Sequence, residues 1–116
     1  LDMARQGVPL AGVVSFHGAL ATETRAVPGS VKARVLVEHG AEDSMVSTDD
    51  VAALNVEMVK AGADYRFVSL PGAKHGFTNP GADAFKEKGL DLAYNKQADE
   101  RSWNDMRRFL EETFSR

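Results

Sequence analysis

The sequence contains no cysteine. Disulfides, thiolate metal sites and a thiol nucleophile are therefore excluded within this chain. That absence fits a reducing compartment, and a cytoplasmic location is the expectation. The first residue is Leu1 rather than Met, so the natural start is expected upstream and no secretory leader can be read. No apolar run reaches membrane-spanning length, so no membrane partner is expected. Clustered positive charge is missing as well. Only Arg107 and Arg108 adjoin, inside a stretch rich in Glu and Asp, and the net charge is −3. That balance argues against a nucleic-acid partner. Internal repeats, linkers and low-complexity segments are absent.

What is present is enough for one small domain spanning residues 1–116. Three short apolar runs read as strands: Leu10 to Phe16, Arg34 to Glu38, and Tyr65 to Leu70. Their apolar, β-branched composition suits strands buried on both faces of a parallel sheet. Between the second and third, Ser47-Thr48-Asp49-Asp50 forms an S-x-x-D helix start. Val51, Leu54, Met58 and Val59 follow at helical spacing, and Lys60-Ala61-Gly62 supplies the stop. Leu1 to Gln6 reads as the last turns of a helix. Gly18 to Lys32 and His75 to Gly89 read as long loops, with a short helix at Leu90 to Tyr94. Gln97 to Phe114 reads as an amphipathic helix with Trp103, Met106, Leu110 and Phe114 on its core face. This alternation predicts an α/β fold with about three parallel strands and flanking helices.

All three histidines precede a glycine, at His17-Gly18, His39-Gly40 and His75-Gly76, and each pair follows a strand. Parallel strands bring the three pairs to one rim, where open α/β sheets build their sites. Asp43 lies just past the second strand and His75 just past the third. An acid followed by a histidine in that order is the latter part of a nucleophile–acid–histidine hydrolase. The histidine shuttles a proton while the carboxylate fixes its tautomer. The plain alternative makes Asp43 a turn residue and His75 a polar loop residue. A second alternative groups His17, His39, His75 and Asp43 as a metal site, but no H-x-H or H-x-x-x-H spacing supports it. Otherwise His17 and His39 cap strand ends. Ser44 and Ser47 sit in no G-x-S-x-G elbow, and Ser47 is better used as the helix cap.

Three stretches carry a family resemblance. They are Val14-Ser15-Phe16-His17-Gly18, then Val35-Leu36-Val37-Glu38-His39-Gly40-Ala41-Glu42-Asp43, then Leu70-Pro71-Gly72-Ala73-Lys74-His75-Gly76-Phe77-Thr78-Asn79-Pro80. Tyr94-Asn95, Ala98 and Trp103 follow at matching spacing. With these, the chain resembles the C-terminal half of the dienelactone hydrolase family of α/β-hydrolases. The resemblance implies an ester or lactone hydrolase with Asp43 as triad acid and His75 as triad base. It implies no cofactor or metal, and a small ester or lactone as substrate of the parent enzyme. The family's nucleophile, a cysteine or serine in a G-x-C-x-G-G elbow, has no counterpart in this sequence, nor do its oxyanion-hole donors. Leu1 to Gln6 resembles the tail of the helix after that elbow. This polypeptide by itself is therefore expected to have little or no esterase activity. The rival expectation is a non-catalytic binding or assembly module. In that case two copies would pair through the edge strand at Leu10 to Phe16.

Overall fold

The computed structural model describes residues 1–115. Three strands, β1 (Gly12–Phe16), β2 (Arg34–Gly40) and β3 (Tyr65–Leu70), form one sheet in the order β1-β2-β3. Both ladders are parallel, with Phe16 opposite Glu38 and Gly40 opposite Leu70. Every residue of β2 is buried, which accounts for its unbroken apolar stretch. β1 is half-buried along its length and, among the described residues, has a strand partner on one side only.

Two strand ends differ from the sequence reading. β1 begins at Gly12 rather than Leu10, because a tight turn (Leu10 N to Val8 O, 2.7 Å) diverts the chain before it. β2 runs on through His39 and Gly40, because pairing with Ser69 and Leu70 continues that far.

The helix α1 (Asp2–Arg5) opens the chain, and α2 (Thr48–Ala61) crosses from β2 to β3. Ser47 Oγ accepts the Asp50 N–H at 3.1 Å, and Gly62 ends the helix with φ of +70°. Only a residue without a Cβ takes that left-handed conformation freely. Leu54 and Met58 of α2 pack with Val35 and Val37 on one face of the sheet. The loop of residues 17–33 crosses the same side. Buried Arg5 holds it, donating to Glu57 Oε2 at 3.0 Å and to Leu20 O at 2.7 Å, while Glu57 accepts Ala26 N–H at 2.8 Å.

Residues 75–95 carry more structure than their sequence suggests. A 3-10 turn at Pro80–Ala82 leads into the helix α3 (Asp83–Lys86). Leu90 to Tyr94 is not a helix. Leu92 instead forms a parallel bridge with His75, and Asn95 N–H reaches Phe77 O at 3.0 Å. These backbone groups are used across the loop and are not free for i to i+4 bonds.

The last helix, α4 (Lys96–Phe114), covers the other face of the sheet. Asn95 caps it by accepting the Ala98 N–H at 3.0 Å. Its core face is rotated from the expected one. Ala98, Ser102, Phe109 and Thr113 are buried, whereas Trp103 and Phe114 are 57% and 72% exposed. Small residues let α4 approach the strands closely. Ser102 Oγ and Thr113 Oγ1 are satisfied within the helix, donating to Asp99 O at 3.0 Å and Phe109 O at 2.7 Å. A hydroxyl bonded that way is buried without an orphaned polar group.

Candidate active site

The rim beyond the strand ends is drawn together by one glycine. A Cβ on Gly40 would lie 2.5 Å from the carbonyl oxygen of Ala73. No other residue permits so close a backbone approach. The turn after β2 is thereby stitched to the turn after β3. Ala41 N–H donates to Leu70 O and Glu42 N–H to Ala73 O, both at 2.9 Å. Asp43 emerges from the first turn and His75 from the second.

Their side chains meet. His75 Nδ1 lies 2.8 Å from Asp43 Oδ2, and Asp43 Oδ1 accepts the Met45 N–H at 2.9 Å. The Asp43 side chain is fully buried, while that of His75 is 25% exposed. A carboxylate only accepts hydrogen bonds, so the proton of neutral His75 sits on Nδ1. Nε2 is then left without a proton and makes no hydrogen bond to a described residue. This is the geometry in which an acid orients a proton-shuttling imidazole.

His17 stands beside this pair. Its ring meets His75 edge-on at 5.6 Å and Phe77 at 5.0 Å, and its Nε2 is 2.8 Å from Thr78 Oγ1. Its backbone is held at φ of +39°, a conformation rare outside glycine and common at functional sites. Burial, and then the neighbouring His75, lower its pKa. An open cleft of about 400 Å³ lies alongside, lined by Phe16, His17, Thr78, Asp99 and Trp103. The expectation that Trp103 belongs to the core is therefore corrected. It stands on the outer flank of α4, beside the cleft.

His39 takes a separate course. Strand alternation places it on the Val35–Val37 face, where its ring lies 5.5 Å from Phe67. It is buried, and burial lowers its pKa. Among the described residues no group of three or more His, Cys, Asp or Glu is arranged to hold a metal. Ser47 caps α2, and Ser44 Oγ donates to Asp91 Oδ2 at 2.6 Å.

Beneath the rim lies a pair of acids with no motif in the sequence. Glu38 is fully buried on β2 and faces Asp105 of α4. Glu38 Oε1, Glu38 Oε2 and Asp105 Oδ2 have no hydrogen-bond partner among the described residues. Burial, and then the neighbouring Asp105 carboxyl, push the Glu38 carboxyl up to about 8. A proton kept on Glu38 can be shared with Asp105, which relieves two of the three orphaned oxygens. Thr78 and Trp103 line the cleft beside the pair, and Asp91 bonds Ser44 and Lys74; Thr78 and Trp103 fall within the family-like stretches, whereas Asp91 carries no sequence signal.

The comparisons agree with this architecture. The family model described as the dienelactone hydrolase family matches residues 1–114, and the chain belongs to that family. A relative from Caenorhabditis elegans, Uncharacterized protein K02A2.1, is 34% identical over 118 residues, covering 99% of this chain and 73% of that protein. A dienelactone hydrolase-like promiscuous phosphotriesterase from metagenomic libraries is 35% identical with a TM-score of 0.88, over 97% of this chain and 46% of that one. The structure called m3DLH is 37% identical with a TM-score of 0.88, at the same coverages of 97% and 46%. The chain thus spans about half the length of these solved structures.

Proposed function

We propose that this chain supplies the acid and base of a nucleophile–acid–histidine hydrolase acting on carboxylic esters or lactones. Asp43 fixes the tautomer of His75, and Nε2 of His75 takes the proton of a nucleophile that is not among these 116 residues. The observation that supports this most is the 2.8 Å contact between buried Asp43 and partly exposed His75. Later in the cycle the imidazolium returns that proton to the leaving oxygen. The open edge of β1 offers a strand partner beside the same rim. A nucleophile-bearing segment paired there would face His17 and His75. The phosphotriesterase relative extends the candidate substrates to phosphate triesters.

The test starts in the source gene. An in-frame G-x-[CS]-x-G-G ahead of Leu1 is expected. The complete product should hydrolyse an aryl ester, and His75→Ala should lower kcat/KM by about 10³-fold or more. A complete enzyme indifferent to His75→Ala overturns the reading.

The one-sided pairing of β1 also supports a second reading, an assembly module that joins two copies edge to edge. Solution scattering distinguishes it. A dimer lost on Val14→Pro supports it, and a monomer at high concentration overturns it.

A further inference from the structure

Asp91 lies outside the acid–base pair, on the loop between α3 and α4. Its carboxylate touches the chain neighbours of both partners. Oδ2 accepts from Ser44 Oγ at 2.6 Å, and Ser44 directly follows Asp43. Oδ1 accepts from Lys74 Nζ at 2.7 Å, and Lys74 directly precedes His75. Those are its two carboxylate oxygens, one on each loop. The backbone of the same loop adds the parallel bridge between His75 and Leu92, the residue next to Asp91. Lys74 first, and then Ser44, hold the Asp91 carboxyl below its ordinary range, as expected for a carboxylate engaged from both sides.

We infer that Asp91 is a positioning residue that sets the distance between Asp43 and His75 by clamping Ser44 and Lys74 together. The inference rests on the acid–base reading of that pair. An exposed ion pair adds little to stability. Its value here is geometric: a hydrogen bond between two loops survives only while the loops keep their spacing. Asp91 acts through its neighbours and touches no reacting atom.

The test is the exchange of the His75 Nδ1 proton with water, read by NMR on the full 116-residue chain. The bond to Asp43 should protect that proton in the wild type. Asp91→Ala should speed its exchange by about tenfold or more, with the amide spectrum of the sheet unchanged. Ser44→Ala and Lys74→Ala each remove one arm and should have intermediate effects. Asp91→Asn, which can still accept from Lys74 and bond Ser44, should restore most of the protection. Arg66→Ala removes another exposed ion pair, that of Arg66 with Glu112 at 2.7 Å near the start of β3, and should leave His75 unaffected. Protection that survives Asp91→Ala overturns the inference alone. An unprotected proton in the wild type overturns both the inference and the acid–base reading.

Discussion

The imidazole of His75 and the carboxylate of Asp43 meet at 2.8 Å although they lie 32 positions apart in sequence. Two turns bring them together, one after β2 and one after β3, locked where Gly40 runs against Ala73. The meeting of the two side chains depends on that seam.

Gly40→Ala should be costly for that reason. The added Cβ would sit 2.5 Å from a backbone oxygen, so one turn must shift. A loss of about 1–3 kcal/mol is expected in urea unfolding. The His75 resonances should move with it. An alanine variant of unchanged stability would show that the two turns are not in close contact.

The rotated face of α4 separates two aromatic residues. Phe109 is fully buried and Trp103 is 57% exposed. Phe109→Ala should cost about 3–5 kcal/mol. Trp103→Ala should change stability by less than about 0.5 kcal/mol. The single tryptophan also allows a direct check: its fluorescence should be readily quenched by acrylamide in the folded chain. Protected fluorescence would return Trp103 to the core.

Stability should fall in mild base because of Glu38. Its folded pKa is raised from 4.5 to about 8. The folded chain therefore binds the extra proton between those values. The stabilisation is fully present below the unfolded value and is lost as pH rises through about 8. Urea midpoints at pH 7 and pH 9 should drop for the wild type and hold steadier for Glu38→Gln. Equal pH dependence in both proteins would contradict the shared-proton pair.

The isolated chain should not hydrolyse an aryl ester above the buffer rate. It holds the proposed base, His75, but no elbow nucleophile and no cysteine. Residual catalysis from an orphaned base is weak. Turnover by the pure chain that disappears in His75→Ala would contradict this.

Much of the fold was legible because each signal was local. Ser47 and Gly62 bracket α2 by capping chemistry, and three apolar runs mark three strands. Strand order placed Asp43 and His75 on one rim, the family resemblance singled them out, and the structure brings their side chains to 2.8 Å. The face of α4 was not legible, because hydrophobicity favours Trp103 and Phe114. The buried positions include Ser102 and Thr113, whose hydroxyls are satisfied by their own helix. Leu90 to Tyr94 was misread because Leu92 bridges to His75, a long-range contact that leaves no local period. His39 shares its glycine with the other two histidines, yet alternation within β2 carries it onto Phe67. The role of Asp91 depends on two hydrogen bonds to residues far away in sequence.

The most direct measurement is the ¹⁵N spectrum of the His75 imidazole in the wild-type chain and in Asp43→Asn. The expected result is a neutral ring protonated at Nδ1 in the wild type and a shift toward the Nε2-protonated tautomer in the variant. A mixed tautomer in the wild type that does not respond to Asp43→Asn would contradict the claim that Asp43 holds His75 ready as a base.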